Sequence, residues 1–292
     1  MTNSQENALF KAGVLAEALP WLLKFQDAIV VIKFGGNAMI NKELLSQFAQ
    51  DVVFLKLAGL KPVVVHGAGP QITDALRKAG IESNFKNGYR VTDSDSIKII
   101  KEVLMNVQND LVVEINGLLK KAVGVSGDEN RTIEVKKKLF IQDGNEIDLG
   151  LVGDIIEVDS NKIFELLDQD LIPIISCLGV DSNGTLFNIN ADQGASAIAK
   201  FLQAQKFVLL TDVIGLLANY PDENSLVETI SIKDLERLIP KLDKGMRPKM
   251  EACFDAVSNG VNRAHIIDGR KSHALLVEVF TDSGTGTMVT RD

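Results

Sequence analysis

Lys33 closes a run of β-branched residues, Val30, Val31 and Ile32, and Gly35 and Gly36 follow at once. A helix stop would account for the glycines, but no helix precedes them. A site that gathers backbone N–H groups and an ammonium around an anion accounts for both residue types. A second turn, His66-Gly67-Ala68-Gly69-Pro70, follows another apolar run. Taken singly, each turn also fits a tight strand-to-helix connection. Two of them in consecutive βα units would meet at the carboxyl ends of neighbouring parallel strands, where open α/β sheets bind ligands. Three further stretches carry chemistry-bearing residues. Asn188, Asn190 and Asp192 alternate, and Asp192 opens a helix rich in small residues, which suits an N-cap aspartate, a partner for a lysine, or both. A buried run ends in Thr211-Asp212, with Gly215 and Leu216 just beyond. Lys249 stands in the first turn of a helix, where the dipole disfavours a cation; the alternative is a solvated surface lysine. Arg90 has the planar fork that grips a carboxylate in two places, or it is a surface arginine paired with Asp93 or Asp95.

Two common phosphate-binding signatures are excluded. The third glycine of a dinucleotide fingerprint would fall on Ile72, and no P-loop pattern occurs.

These residues need a scaffold of strands that end at one edge. Residues 28–34, 62–66, 171–178, 207–211, 261–267 and 275–280 read as strands, most of them apolar throughout. Helices are expected at 8–25, interrupted at Pro20, from Asn41 as N-cap to about residue 58, from Pro70 to Gly80, and over 95–121, 163–167, 192–203, 231–239 and 247–259. Near-continuous apolar strands alternating with helices argue for a parallel sheet covered on both faces, an α/β fold of three layers. Residues 132–158 alternate instead and read as antiparallel hairpins with Asp143-Gly144-Asn145 as turn material. The weak seam at 179–186 suggests a division into residues 26–180 and 181–292, preceded by a separate N-terminal helix over 1–25.

The 31 Lys and Arg against 39 Asp and Glu give a net charge of −8, which disfavours nucleic acid as the main partner. A small anion needs only local positive charge. Cys177 and Cys253 share no metal spacing, the three histidines are scattered, and two free thiols fit a reducing compartment. No apolar run is long enough to span a bilayer and no secretory leader is expected, so the cytoplasm is the expected location.

Taken together, KFGG, HGAGP, NGYRVTD, NINAD, LLTDVIGLL, GMRPK and AHIIDGRKSHALLVEVFTDSGTGTM resemble the acetylglutamate kinases of the amino-acid kinase family, over about residues 28–288. That resemblance implies an open αβα sandwich with a mostly parallel sheet, spanning 26–292 as one kinase domain. It implies transfer of a phosphoryl group from ATP, with Mg2+ held mainly by phosphates and no protein metal ligand, to the side-chain carboxylate of N-acetyl-L-glutamate. This is the second step of arginine or ornithine synthesis. Lys33 and Lys249 would clamp the phosphoryl group and Asp192 would hold both lysines. Gly67, Ala68, Arg90, Asn188 and Asn190 would bind the substrate. Gly35, Gly36, Thr211, Asp212, Gly215, Leu216, Gly245 and Met246 would border the nucleotide. The first lobe would bind the amino acid and dimerise, the second the nucleotide.

The chemistry agrees. A carboxylate with an ordinary pKa of about 4 is already ionised and needs no general base. Bringing it to a polyphosphate calls for cations and N–H donors. The N-terminal helix resembles the extension of arginine-inhibited members, in which such helices interlace dimers into a hexamer. Lys11, Trp21, His265, Glu278 and Gly286 would then contact L-arginine, and a PII-type signalling protein is a further possible partner. Ala68 departs from the family's usual glycine, and Lys244 and Arg247 add charge where the family is less polar. The alternatives are a kinase of this fold acting on another carboxylate, such as aminoadipate or carrier-bound glutamate, and a ligand-binding regulator without turnover.

Overall fold

The computed structural model describes residues 3–86, 88–142, 145–281 and 284–292. Eight strands form the main sheet: β1 Ile29–Phe34, β2 Lys61–His66, β3 Ala122–Ser126, β4 Ile172–Ser176, β5 Lys206–Thr211, β6 Thr229–Ser231, β7 Arg263–Asp268 and β8 Thr287–Thr290. They lie in the order β6-β8-β7-β5-β1-β2-β4-β3. The six from β7 to β3 are parallel, β8 runs antiparallel to β7, and β6 pairs in parallel with β8. The helices are α1 Asn3–Lys24, α2 Lys42–Leu57, α3 Gly69–Lys78, α4 Ser96–Leu118, α5 Ser160–Asp168, α6 Ala191–Phe201, α7 Ile232–Leu238, α8 Arg247–Ser258 and α9 Ala274–Phe280. None of the described helices is long and apolar enough to cross a membrane.

Strand alternation sets the layers. Val30, Ile32 and Phe34 of β1 pack in one core with Phe48 and Val52 of α2 and Leu104 of α4, and the Phe34 and Phe48 rings stack with centroids 3.9 Å apart. Val31 lies in the opposite core with Ala195 and Ile198 of α6 and Met250 and Cys253 of α8. The result is the expected three-layer αβα sandwich. By the same alternation Lys33 sides with Val31, toward α6 and α8. Most expected elements lie within a residue or two of the observed ones. Asn41 caps α2, its side chain accepting the N–H groups of Glu43 and Leu44.

A smaller sheet orders Leu186–Asn188, Leu178–Val180, Ile133–Lys137 and Gly153–Val158 side by side. The expected hairpins are present in Ile133–Lys137 with Gly153–Val158 and in Phe140–Gln142 with Asn145–Ile147. The turn expected at Asp143-Gly144-Asn145 falls partly on residues 143 and 144, outside the described residues. So do Asn87 of NGYRVTD and residues 282–283 of the C-terminal motif. The seam at 179–186 is itself a hairpin between Leu178–Val180 and Leu186–Asn188, its turn tied by Asp181, which accepts the N–H groups of Asn183 and Thr185.

Three readings are corrected. Residues 275–280 are not a strand but lie in α9, where Ala274, Leu275, Glu278 and Val279 are buried. That spacing is helical, and a short apolar run does not by itself distinguish helix from strand. The edge strands are β6 and β3, and neither they nor β8, which lies between β6 and β7, were expected. Pro20 does not interrupt α1, which runs through it. The ring removes a donor to the Ala16 carbonyl, but both residues are exposed, which leaves that carbonyl open to solvent. Asp192 is not the N-cap of α6. Asn190 is, accepting the N–H groups of Asp192 and Gln193 at 2.9 and 3.2 Å. That frees the Asp192 carboxylate for other partners.

Candidate active site

At the carboxyl end of β1, Lys33 Nζ lies 2.9 Å from Asp192 Oδ1. Lys249 Nζ, from the first turn of α8, lies 3.1 Å from Asp192 Oδ2. One carboxylate thus bridges two ammonium groups that are 216 residues apart in the chain (249 − 33). The bridge exists because α6 packs along α8, where Ser196 Oγ donates to the Ala252 carbonyl at 2.8 Å. Burial works to raise the Asp192 pKa. The charges and hydrogen bonds of Lys33 and Lys249 outweigh it and hold the carboxyl well below the usual range.

Lys33 and Asp192 line a cavity of about 210 Å3 together with Gly35, Gly36, Gly67, Ala68, Arg90, Asn188 and Asn190. Its remaining wall includes Ile72, Phe85, Tyr89, Leu104, Val152 and Cys177. The two glycines after β1 leave room for charged side chains, and the positive φ of Gly36 favours glycine there. A Cβ on Gly35 would stand 2.8 Å from Lys33 Nζ, and one on Gly36, at φ +76°, would stand 2.7 Å from Asp212 Oδ1. The Gly67 N–H donates to the Phe34 carbonyl at 3.2 Å. The turn's N–H groups without a protein acceptor among the described residues are therefore those of Ala68 and Gly69. Cys177 is buried, and burial, with Asp192 adding to it and Lys33 opposing, pushes its thiol up to about 12. It stays a neutral wall residue.

Arg90 is buried and bonds to neither Asp93 nor Asp95. Its Nη2 donates to the Gly69 carbonyl at 3.0 Å and to Thr73 Oγ1 at 2.9 Å, Nη1 donates to Ser83 Oγ, and the guanidinium sits over the Phe85 ring at 4.5 Å. These bonds use three of its five donors. Burial brings its pKa down to about 10, so it remains a cation at neutral pH. Asn188 Nδ2 donates to Thr92 Oγ1 at 3.3 Å, and Thr92 in turn donates to the Arg90 carbonyl at 2.9 Å. Thr73, Ser83 and Thr92 hold the site in shape and were not singled out from sequence. Thr92 lies inside the NGYRVTD stretch. The other two carry no signal, since their spacing to Arg90 follows from the fold alone.

A sequence profile describing the amino acid kinase family matches residues 28–268. The chain belongs to the amino acid kinase family. Within that family it is similar to the acetylglutamate kinase of Saccharopolyspora erythraea, at 49% identity over 280 residues, 96% of this chain and 92% of the relative. It is similar to that of Corynebacterium efficiens at 47% over 280 residues, 96% and 93% respectively. Among solved structures, the N-acetylglutamate synthase of Neisseria gonorrhoeae complexed with coenzyme A and N-acetyl-glutamate superposes with a TM-score of 0.86 at 26% identity. That match covers 96% of this chain, and the chain spans only 63% of the synthase's length. A Giardia lamblia carbamate kinase bound to AMP-PNP shares the fold, with a TM-score of 0.65 at 17% identity, covering 91% of this chain and 99% of that one.

The remaining expected site residues of this amino acid kinase fall in three places. Thr211 ends β5 beside β1, and Asp212 stands against Gly36. Gly215 and Leu216 follow; Leu216 is buried and its N–H donates to Thr287 Oγ1 at 2.8 Å. Gly245 and Met246 precede α8, and both donate their N–H groups to Asp243 Oδ1, at 2.6 and 3.0 Å. Trp21, His265, Glu278 and Gly286 line a second cavity of about 290 Å3 with Lys206 and Arg263. Lys11 does not line it; it is exposed on α1. His265 Nδ1 lies 2.6 Å from Glu278 Oε1, and burial drives the His265 pKa below its usual value despite that carboxylate.

Proposed function

We infer that this kinase phosphorylates the side-chain carboxylate of N-acetyl-L-glutamate, giving N-acetyl-L-glutamyl 5-phosphate in the second step of arginine biosynthesis. The observation that carries the reading is the Lys33–Asp192–Lys249 bridge, which opens onto the cavity that Arg90 lines. The near full-length similarity to acetylglutamate kinases supports the choice of substrate.

Bound MgATP supplies the γ-phosphoryl group. Lys33 and Lys249 lower the repulsion between that group and the incoming carboxylate, and Asp192 keeps the two ammonium groups from spreading apart. The N–H groups of Ala68 and Gly69 add donors aimed at developing negative charge. Arg90 and Asn188 orient the amino-acid end. Among the described residues no three of His, Cys, Asp or Glu cluster as a metal site. Mg2+ would be carried mainly by the phosphate oxygens of the nucleotide.

In this reading residues 26–180 bind the amino acid and dimerise, and 181–292 carry the nucleotide against Thr211, Asp212, Gly215, Leu216, Gly245 and Met246. L-arginine occupies the second cavity as an inhibitor, with Trp21, His265, Glu278 and Gly286 as contacts and Lys11 supplied from another subunit. The exposed leucines of α1 support its role in joining dimers into a hexamer in the cytoplasm. Control by a PII-type protein is the remaining element. A coupled ADP-release assay comparing N-acetyl-L-glutamate with glutamate, aspartate, aminoadipate and carbamate tests the assignment. The first should turn over at least tenfold faster; preference for another carboxylate, or no ADP from any, rejects it.

A further inference from the structure

His66 ends β2 with its side chain wholly buried, and the mechanism above gives it no task. Its Nδ1 lies 3.3 Å from the carbonyl oxygen of Gly67, and its Nε2 is buried with no partner among the described residues. Two neutral tautomers are available. A proton on Nε2 would leave a buried N–H without an acceptor. A proton on Nδ1 points at the Gly67 oxygen and leaves Nε2 only an unmet lone pair. Orphaned buried donors are the rarer and costlier case, so the Nδ1–H form is selected. Burial also pulls the ring's pKa down to about 4, which keeps it neutral at pH 7.

The Gly67 carbonyl belongs to the same planar trans peptide as the Ala68 N–H, so the two point in opposite directions. Holding that oxygen down toward His66 aims the Ala68 N–H up, at the cavity that Gly67, Ala68 and Gly69 line. The rest of the turn does not fix this peptide. The Gly67 N–H, donated to Phe34, belongs to the preceding peptide, and the Ala68 carbonyl, accepting from Ile72, belongs to the following one. We propose that His66 is a positioning residue for phosphoryl transfer: through Nδ1–H it locks the 67–68 peptide so that the Ala68 N–H faces the reacting oxygens. The proposal rests on the kinase reading above.

The test has two arms. Nitrogen-15 NMR of histidine-labelled full-length protein at pH 7 reads the tautomer directly. A neutral ring protonated on Nδ1 is expected, and an Nε2–H or doubly protonated ring overturns the proposal. In the second arm, Asn and Gln replace the ring selectively, since the Asn amide nitrogen sits where Nδ1 was and the Gln amide nitrogen where Nε2 was. With N-acetyl-L-glutamate and MgATP, His66→Asn should hold kcat within about threefold. His66→Gln and His66→Leu should lose about tenfold or more, approaching the roughly 10²–10³ that removing a donor itself costs. Equal loss in Asn and Gln, or wild-type kcat in Leu, overturns it. Melting temperatures of the three variants separate positioning from misfolding, and the tautomer measurement decides if none folds. Absence of turnover in the wild type would instead reject the kinase reading, leaving the NMR result to stand alone.

Discussion

The carboxylate of Asp192 has two ammonium partners and almost no water, so it cannot be removed without consequence on either side. Replacing it with Asn leaves the Lys33 ammonium, only 9% exposed, without a counter-charge. Breaking a buried pair in this way costs about 3–5 kcal/mol, measurable by urea unfolding at pH 7. Because the folded pKa lies below the ordinary 3.8, the contribution is present above that value and disappears as pH falls below it. The stability gap between wild type and Asp192→Asn should therefore narrow below about pH 4; a gap that stays constant with pH would show that the charge plays no part. Lys33→Ala and Lys249→Ala should each lower turnover by roughly 10²–10³ at saturating substrates, and near-wild-type turnover would remove that lysine from the site. These three residues were legible in the sequence because each breaks a local rule: a cation closing an apolar strand, a cation at a helix start, and an acid among small residues. The partners of Arg90 were not legible, since Gly69, Thr73 and Ser83 break no rule and meet it only through folding.

At the scale of elements, the caps and periods that sequence displays are local, and they were readable where local chemistry decides. Asn41 is such a case, and Asn41→Ala should cost about 1 kcal/mol, read as a lower urea midpoint with unchanged slope; no shift would mean that water replaces the cap. Asn190 and Asp192 show the limit. Both are good caps by type, and which one serves depends on the second partner that Lys33 and Lys249 offer Asp192. The segment at 275–280 shows another. Its apolar run suits a strand, yet β7 already has β8 as its antiparallel neighbour, and the segment packs as α9 with Leu275 and Val279 in the core shared with α2. Edge strands as short as Thr229–Ser231 have too few residues to show a period at all.

For the whole molecule, the sheet was foreseeable because five of its six parallel strands are largely buried and leave a strong apolar signal, while the partly exposed edge strand β3 leaves none and was missed; α1 was foreseeable only as a question. It packs on the body through Trp21 and Phe25 near its end, while Leu9, Phe10, Leu15, Leu19 and Leu23 face outward. A chain lacking residues 1–25 should sediment as a smaller assembly than the full chain, and an unchanged size rejects interlacing. The same packing that seals the interior also seals both sulfur atoms, Cys177 and Cys253, which are 1% and 0% exposed. The natural chain is thus a blank background for maleimide dyes, with no cysteine to engineer away. Asn183→Cys, on the exposed turn just ahead of Asn188, would take up one fluorophore per subunit, verified by intact mass. Its emission would then follow ligand arrival in real time, in a protein otherwise left as it is.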